Sequence, residues 1–485
     1  MKRLKTFLGL VCFALQISGS AAAADLPRMY PAYAFQGTWT EIGKQTALHF
    51  RDNIITTGFV FETFIGIGAA EALAYYDKIK DLIPQQIIAQ MEGIALGLNE
   101  YASIPYDTAW QWVLIVNLGF DLLNLHKLEA ADTPGCTAFA LHSEDGIFLA
   151  HNTDNSESNL EMGSLIHYRP DNGDNAFLSF FAPAFVGASL AINEKGLALT
   201  YNVGGRNKNP LAGLPMLLKT RQVMAECDNL TQAVDSFTGF LDRGGHYGYA
   251  TCNFLLVDFK DDTMARLQVC SDEIRVTYGA ELKDGVTFLA FTNEFDDDFS
   301  PRTSEDLEKD SVISSRARYQ RLMEILPAFD RYGLETCWTV LSDTADNAST
   351  NNTICRRGEK TVTTLANIFT ESTGYYTVGP PCEYLSLYDG PMIVDHDQPV
   401  TAAITGTVTV WGLLPLPYAT VTLKSLSGTG TDLKTCTDGS GGFTFNNLEI
   451  GQYFLLAGKF FHLPGFAFAT VDGSAGTTVA INLFF

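Results

Sequence analysis

The sequence predicts an α+β fold followed by a small all-β module. Three observations support this prediction. Helical periodicity dominates residues 38–131, and strands with intervening helices follow Cys136. Short strands separated by turn residues then recur at regular spacing over 401–485. Because strands and helices alternate only loosely, periodicity by itself specifies α+β and no particular layering.

The first 24 residues have the features of a secretory signal. A basic start at Lys2 and Arg3 precedes an apolar core over 6–17, and small residues occupy 20–24. The apolar core is too short to remain as a membrane-spanning anchor. We therefore expect an exported mature chain that begins at residue 25 and is secreted, periplasmic or held at the cell surface.

Composition excludes some partners. The formal net charge is -23, which disfavours binding to nucleic acid or to an anionic membrane. No spacing of His, Cys or carboxylates matches a zinc site, so we expect neither metal nor cofactor. Cys252 and Cys270 flank a strand–turn–strand segment symmetrically about Asp261, which suggests that they face each other in a disulfide.

Two helix starts can be read in the region before Cys136. Thr38 and Glu41 form a T-x-x-E capping box, and Pro84 precedes apolar residues at helical spacing over 87–98. Both patterns predict amphipathic helices that pack on a core.

Residues 108–125 are apolar enough to resemble a membrane span. Gln111, Asn117 and Asp121 interrupt this stretch, so we predict a buried helix. The mature chain is then expected to have no membrane span.

The most informative stretch runs from Pro134 to Asn155. A strand over 137–141, a turn at Asp145-Gly146 and a returning strand over 147–151 predict a β-hairpin. Because a hairpin brings its two ends together, Asp154 is expected to lie close to Cys136.

If the Gly135–Cys136 bond is cut, Cys136 becomes the first residue of a new chain and could act as a nucleophile. Cys136 would then carry a free α-amino group with a pKa of roughly 8, close enough to the thiol pKa of about 8.5 to accept its proton. Gly135 suits such a junction, since it tolerates a strained backbone and leaves its carbonyl open to attack. A lone cysteine in a strand is more often a core residue.

The remaining secondary structure has a simple pattern. Strands are predicted at Ala176–Phe181, Ala188–Ile192, Ala198–Asn202, Thr251–Asp258 and Thr287–Thr292, and helices at Pro215–Cys227 and Ser311–Leu326.

Motifs along the chain resemble one known family. P-G-C-T-A-F-A and D-G-I-F-L-A-H-N-T-D resemble the signature of the acyl-coenzyme A:6-aminopenicillanic acid (isopenicillin-N) acyltransferase family, which are self-cleaving N-terminal-nucleophile hydrolases. Further matching blocks occur in the family's order at Trp39–Gly43, Ile192–Asn202, Phe291–Glu294, Thr353–Arg356 and Thr364–Ile368. The resemblance covers roughly residues 31–387 and implies a four-layer αββα sandwich. It implies a domain over 25–389, cut into an α-fragment, 25–135, and a β-fragment starting at 136 that stay associated.

The resemblance also assigns site residues. It implies that Cys136 is the nucleophile, that Asp154 holds the new α-amine and that the Asn293 amide donates into the oxyanion hole. Arg356 matches the arginine of the family's I-C-R motif and would lower the thiol pKa or bind Asp154 or a substrate carboxylate, although Arg357 is adjacent.

Departures from the family pattern bear on the substrate. Thr153 stands where many relatives carry Trp, Asn155 where an aromatic residue is usual, and Glu294 where His is common. We treat His151, Glu294 and Asn202 as candidate substrate-binding residues.

After Tyr388 the character of the chain changes. Residues 390–400 are predicted as a linker, and 401–485 as an antiparallel sandwich. I-T-G-T-V, A-T-V-T-L and T-D-G-S-G-G-F-T-F resemble the carboxypeptidase regulatory-like domain, typically a stability or attachment unit.

The sequence therefore predicts an exported, self-processing cysteine amidohydrolase or acyltransferase that cleaves a small-molecule N-acyl amide through an acyl-thioester. Two alternatives stay open. One is a non-catalytic surface-binding or adhesion protein that uses the C-terminal sandwich. The other is a ceramidase-like or phospholipase B-like lipid hydrolase with the same nucleophile.

Overall fold

A computed structural model describes most of the chain after residue 32. The predicted signal, 1–24, lies outside the described residues. Within 33–483 the undescribed residues are 63–65, 126–134, 156–163, 183–184, 207–210, 300–309, 345–350, 359–360, 389, 397–401, 411, 413, 417–418, 427–432, 438–440, 449–450, 460–463 and 472–476. No helix among the described residues is long and apolar enough to cross a membrane.

Nine α-helices lie in the described part of the chain. They are α1 Trp39–Val60, α2 Ala69–Ile79, α3 Gln85–Ala102, α4 Tyr106–Leu125, α5 Met216–Glu226, α6 Leu230–Asp242, α7 Asp310–Ile325, α8 Leu334–Leu341 and α9 Pro381–Tyr388. The helices predicted at 87–98, 108–125, 215–227 and 311–326 are confirmed as α3, α4, α5 and α7, with ends that differ by a few residues.

Fifteen strands precede residue 396 in the described part of the chain and form two large sheets. They are β1 Tyr33–Gly37, β2 Gly135–Ser143, β3 Gly146–Asn155, β4 Ser164–Pro170, β5 Phe177–Phe181, β6 Leu190–Asn193, β7 Leu197–Arg206, β8 Ala250–Asp258, β9 Thr263–Val269, β10 Ile274–Tyr278, β11 Ala280–Lys283, β12 Val286–Phe291, β13 Val362–Phe369, β14 Thr373–Val378 and β15 Met392–Asp395. The eight-stranded sheet has the order β1-β4-β5-β6-β7-β8-β9-β10, and the seven-stranded sheet has the order β11-β12-β2-β3-β13-β14-β15.

Three apolar clusters show how these elements are layered. One packs α1–α6 on the outer face of the eight-stranded sheet, and another packs α7 and α8 on the outer face of the seven-stranded sheet. The third lies between the sheets and includes Ala138, Leu149, Ala198 and Leu365. Since strand side chains alternate between faces, each sheet is apolar on both sides. The chain before residue 396 is therefore an αββα sandwich, as the family resemblance implied.

The predicted start of α1 is confirmed in detail. Thr38 Oγ1 accepts from the Glu41 backbone N–H at 3.2 Å, while Glu41 Oε2 accepts from the Thr38 N–H at 2.8 Å. This capping box satisfies two backbone donors that the helix itself leaves free. The strand just before this helix, β1, pairs in parallel with β4.

The turn of the β2–β3 hairpin lies one residue earlier than predicted. Ser143 pairs with Gly146, so the two central turn residues are Glu144 and Asp145, and the predicted Asp145-Gly146 turn is wrong by one residue. Gly146 follows the turn with a φ of 101°, a conformation that glycine adopts without strain. The register that results places Asp154 opposite Gly135.

The predicted disulfide between Cys252 and Cys270 is wrong. Cys252 pairs with Val269, so the register of this hairpin differs by one residue from the predicted pairing of Cys252 with Cys270. A one-residue shift reverses the face of a side chain. Cys252 accordingly packs under the helices, whereas Cys270 contacts the pair Phe295 and Phe299, and both thiols are free.

The disulfide observed among the described residues lies elsewhere in the chain after Cys136. It joins Cys355 to Cys382 at the start of α9, with 6.4 Å between the two Cα atoms. It closes a loop that contains β13 and β14. The neighbouring residue Arg356 is joined to β13 by its backbone, which donates to Thr363 Oγ1 at 2.9 Å and accepts from the Thr363 N–H at 3.0 Å.

Part of the predicted linker is a strand. Met392–Asp395 forms β15 and pairs with β14, so the hydrolase-type sheet extends past the predicted boundary at residue 389. Gly390 and Pro391 suggested a linker, but the run M-I-V-D behind them is apolar enough to cover the sheet edge.

Eight strands follow residue 401 within the described ranges. They are β16 Ala402–Val410, β17 Leu414–Pro415, β18 Thr420–Ser425, β19 Leu433–Cys436, β20 Gly442–Leu448, β21 Gly451–Gly458, β22 Gly465–Val471 and β23 Thr477–Leu483. They form two four-stranded sheets that enclose their own apolar core, which includes Val408, Val421 and Leu455. The likeness to a carboxypeptidase regulatory-like domain stays a prediction.

One buried carboxylate joins the helices before Cys136 to the sheet after it. Asp121 on α4 accepts the Tyr249 N–H at 2.7 Å and the Ala250 N–H at 3.4 Å. Burial raises the pKa of Asp121 to about 6, although these two backbone donors oppose the shift.

We expect Asp121 to make the protein less stable as the pH rises. The pKa in the fold exceeds the ordinary value of 3.8, so folding favours the protonated carboxyl, and this contribution is lost between pH 4 and 6. The loss amounts to about 3 kcal/mol. Asp121→Asn keeps an acceptor oxygen but cannot ionise, so urea midpoints measured from pH 4 to 7 should fall less steeply. Exposed Asp77→Asn is the control, and an unchanged slope in Asp121→Asn would contradict the prediction.

Candidate active site

The hairpin brings the predicted nucleophile and carboxylate to neighbouring positions of one ladder. Cys136 pairs with Thr153, and Gly135 pairs with Asp154. Directly opposed residues share a face and adjacent residues point to opposite faces. The Cys136 side chain therefore faces the eight-stranded sheet, whereas the Asp154 carboxylate lies on the helix side, beneath Gly135. Sequence reasoning placed the two close together but did not separate the faces.

Asn293 holds the backbone nitrogen of Cys136. The Cys136 N–H donates to Asn293 Oδ1 at 2.8 Å, and Asn293 Nδ2 donates to the Val203 carbonyl at 2.8 Å. The Asn293 backbone N–H is fixed in turn by Ser315 Oγ at 2.9 Å on α7. Asn293 thus reaches the predicted site and fixes the atom that would become the α-amine.

Two arginines and one carboxylate form a buried charged cluster under the junction. Asp154 Oδ2 lies 3.6 Å from Arg356 Nη1 and 3.9 Å from Arg318 Nη1. Thr363 Oγ1 donates to Asp154 Oδ1 at 2.8 Å. Burial raises the pKa of Asp154, while the two guanidinium groups oppose that shift. The cluster carries an excess of one positive charge when all three groups are ionised.

Arg318 was not predicted from the sequence. It is 1% exposed and donates to the Cys136 carbonyl, to Thr137 Oγ1 at 2.8 Å and to Asn293 Oδ1 at 3.0 Å. A signal was present, because Val312, Ser315, Arg318 and Leu322 are spaced along one face of a helix and all four are buried. An arginine on the apolar face of a helix needs a buried partner.

The junction accepts glycine alone. A Cβ atom at residue 135 would collide with Arg356 Nη1 and would lie 3.1 Å from Arg318 Nη2 and 3.2 Å from Asp154 Oδ2. All three groups are buried, so the cluster has little room to yield. Gly135 is therefore required by the packing around the proposed cut, in addition to the backbone freedom expected from the sequence.

The thiol is protonated in the uncut chain. Burial raises the pKa of Cys136 to about 12, and the charge of Asp154 adds to the shift, although Arg318 and Arg356 oppose it. A thiol with this pKa is a poor nucleophile until a base accepts its proton. The nitrogen of the same residue is an amide that donates to Asn293, and it would be a base only as a free amine.

The choice between Arg356 and Arg357 follows from burial. Arg356 lies against Asp154 and is 6% exposed, whereas the Arg357 side chain is 43% exposed and lies 3.8 Å from Glu383. Arg356 is the one that the fold brings to the junction.

The three candidate substrate-binding residues separate into two places. His151 and Asn202 meet between the sheets, where His151 Nε2 lies 3.0 Å from Asn202 Oδ1. Glu294 points away from them, toward Arg316 Nε at 3.7 Å, and lines an outer cleft with Tyr319. Glu294 is therefore separated from the His151–Asn202 pair.

Comparison with known proteins agrees with the motifs. Residues 141–379 match the family described as acyl-coenzyme A:6-aminopenicillanic acid acyl-transferase, which confirms the family resemblance. An uncharacterized protein of Archaeoglobus fulgidus is 29% identical over 177 residues, which cover 32% of this chain. The match spans only 28% of the length of that curated relative.

Two solved structures show partial structural similarity to this chain. The Caenorhabditis elegans ortholog of N-acylethanolamine-hydrolyzing acid amidase is 12% identical with a TM-score of 0.34, and the match covers 49% of this chain and 93% of that one. A mutant of conjugated bile acid hydrolase from Clostridium perfringens is 13% identical with a TM-score of 0.34, and the match covers 54% of this chain and 92% of that one.

Proposed function

Because residues 141–379 match the acyl-coenzyme A:6-aminopenicillanic acid acyl-transferase family, we propose that this chain is an exported cysteine amidohydrolase or acyltransferase that cuts itself between Gly135 and Cys136. The family match supports the reaction class, acyl transfer or hydrolysis at an amide. Self-cutting, export and the cysteine mechanism are our proposal.

One observation carries it. Asn293 and Arg318 hold the Cys136 nitrogen and carbonyl, while Asp154 and Arg356 pack beneath Gly135. A cut at this bond would leave an amine fixed on the residue that bears the thiol. Such an arrangement combines nucleophile and base in one residue.

Processing would proceed in two steps. The Cys136 thiol adds to the Gly135 carbonyl carbon, the C–N bond breaks, and the nitrogen takes the thiol proton to become the α-amine. Water then hydrolyses the thioester, which releases the Gly135 carboxylate and restores the thiol. The fixed guanidinium groups of Arg318 and Arg356 disfavour a second positive charge and so keep the new amine neutral enough to act as a base.

Catalysis would repeat this chemistry on a substrate. The α-amine accepts the thiol proton, sulfur attacks the amide carbonyl, and the substrate amine leaves with that proton. The acyl-thioester is then resolved by water or by an acceptor amine. Asn293 Nδ2 donates a hydrogen bond to the Val203 carbonyl in this structure. During catalysis it would be the side-chain donor that hydrogen-bonds the oxyanion instead.

An assay with a panel of small N-acyl amides, with and without added amines, tests this function. We expect acyl release by the wild-type protein, and hydrolysis without added amine if water resolves the thioester. A new acyl-amine product in the presence of acceptor would identify a transferase. Absence of turnover by a correctly cut protein would contradict the proposal.

A further inference from the structure

Buried polar atoms without partners lie between the sheets, close to Cys136. Asn367 is fully buried, and neither its Oδ1 nor its Nδ2 meets a hydrogen-bonding group among the described residues. The same is true of Asn202 Nδ2 and Thr200 Oγ1 within the described part of the chain. Buried amides are almost always satisfied in folded proteins, so these atoms require a partner, which is either internal water or a bound group.

These residues form a line that starts at the thiol. Thr153 opposes Cys136 in the ladder and its Oγ1 lies 3.2 Å from His151 Nδ1. His151 Nε2 lies 3.0 Å from Asn202 Oδ1 across the gap between the sheets. Asn367 is the direct ladder neighbour of His151 on the other side. Opposed side chains share a face, so Asn367 flanks the His151–Asn202 contact.

The cluster is neutral. His151 Nε2 faces two oxygens, Asn202 Oδ1 and the Tyr201 carbonyl at 3.3 Å, so this nitrogen carries the hydrogen and Nδ1 accepts from Thr153. Burial lowers the pKa of His151 to about 4, which keeps the ring uncharged near neutral pH. The unpartnered hydrogen-bond donors and acceptors therefore suit an uncharged group that can both donate and accept hydrogen bonds.

The order of the reaction steps indicates which part of the substrate lies between the sheets. The acyl group is expected there. In a thioester mechanism the amine leaves first and water enters afterwards, so the amine side must open to solvent. The acyl part stays attached until the end and can occupy the enclosed side. Thr200, Asn202 and Asn367 are all fully buried, so the side of Cys136 that faces the eight-stranded sheet is closed to solvent.

We propose that Asn202 and Asn367, with His151 and Thr153, bind a neutral hydrogen-bonding group, such as a primary amide or hydroxyl, on the acyl part of the substrate. This inference rests on the proposed function. It predicts discrimination against alkyl acyl groups of the same shape, because a site built for hydrogen bonds is left unsatisfied by an apolar analogue.

Three amides of one fluorogenic amine test the proposal. They carry 4-carbamoylbutanoyl, 5-methylhexanoyl or 4-carboxybutanoyl groups, which are matched in shape and differ in polarity and charge. Self-cut wild-type enzyme should process the carbamoyl compound with kcat/KM at least about 10-fold above both others. Asn367→Leu should lose this preference, and Thr153→Val, which keeps the shape of the residue, should weaken it.

Thr377→Val is the matched control, because Thr377 is a buried polar residue on the opposite face of the same sheet. It should retain the wild-type preference. A cut, active wild type that processes the carbamoyl and alkyl compounds equally would overturn the acyl site and assign the free atoms to internal water. A wild type that never cuts itself would overturn the proposed function instead.

Discussion

Replacing Cys136 with alanine is expected to leave the chain uncut and to remove amide turnover altogether. The thiol attacks in both the processing and the catalytic reaction, and loss of a covalent nucleophile costs on the order of 10⁶ in kcat. Intact mass and a denaturing gel would show one chain for the variant. The wild type should show two fragments, one of them beginning at Cys136.

Cys252→Ala is the matched control for this experiment. Cys252 is also a buried free thiol, but it lies under the helices of the other sheet. It should be cut like the wild type. Cutting in Cys136→Ala, or its absence in the wild type, would contradict self-processing, and the surface-binding alternative would then lead.

Replacing Asp154 with asparagine is expected to be both destabilising and inactivating. The carboxylate is the only acid within salt-bridge distance of either Arg318 or Arg356 among the described residues, and all three side chains are buried. Removing one partner of a buried charged set costs about 3–5 kcal/mol, because the remaining charges stay out of water without compensation. Urea unfolding at pH 7 measures the loss of stability, and the mass assay measures processing.

Asp298 is an exposed carboxylate and serves as the control for the buried Asp154. Asp298 contacts Arg275, but its side chain is 79% exposed, so Asp298→Asn should change neither unfolding nor processing appreciably. If Asp154→Asn unfolds at the wild-type urea concentration, the cluster is not held together as described. An Asp154→Asn protein that cuts itself at the wild-type rate would exclude the carboxylate from processing.

The secondary structure was predicted best where local chemistry dictates it. The capping box at Thr38 and Glu41 needs only four consecutive residues, and the hairpin around Gly146 needs only a turn signal between apolar runs. The exact register of strand pairing was harder to predict from the sequence. The Cys252–Cys270 prediction failed because one residue of slip moves a side chain to the other face of a sheet, which no count of intervening residues reveals.

The site residues were predicted from sequence motifs, so residues outside a motif were missed. Cys136, Asp154, Asn293 and Arg356 lie together in the structure, and the roles that the family resemblance gives them stay predictions. Arg318 and the Cys355–Cys382 bridge depend on contacts distant in sequence, and only the fold brings those residues together. The orientation of the Asn293 amide likewise depends on Val203, 90 residues earlier.

The parallel pairing of β1 with β4 joins the two sides of the proposed cut within one sheet. Before the cut, β1 and α1–α4 fold as part of one chain; after it, they would be a separate polypeptide that is held only by packing and hydrogen bonds. Unfolding would then release two separate polypeptides, so refolding would depend on protein concentration. The uncut precursor, in which both parts fold as one chain, would no longer be present. The working lifetime of the mature enzyme would be set by its unfolding rate, because each loss of the first fragment is in practice irreversible.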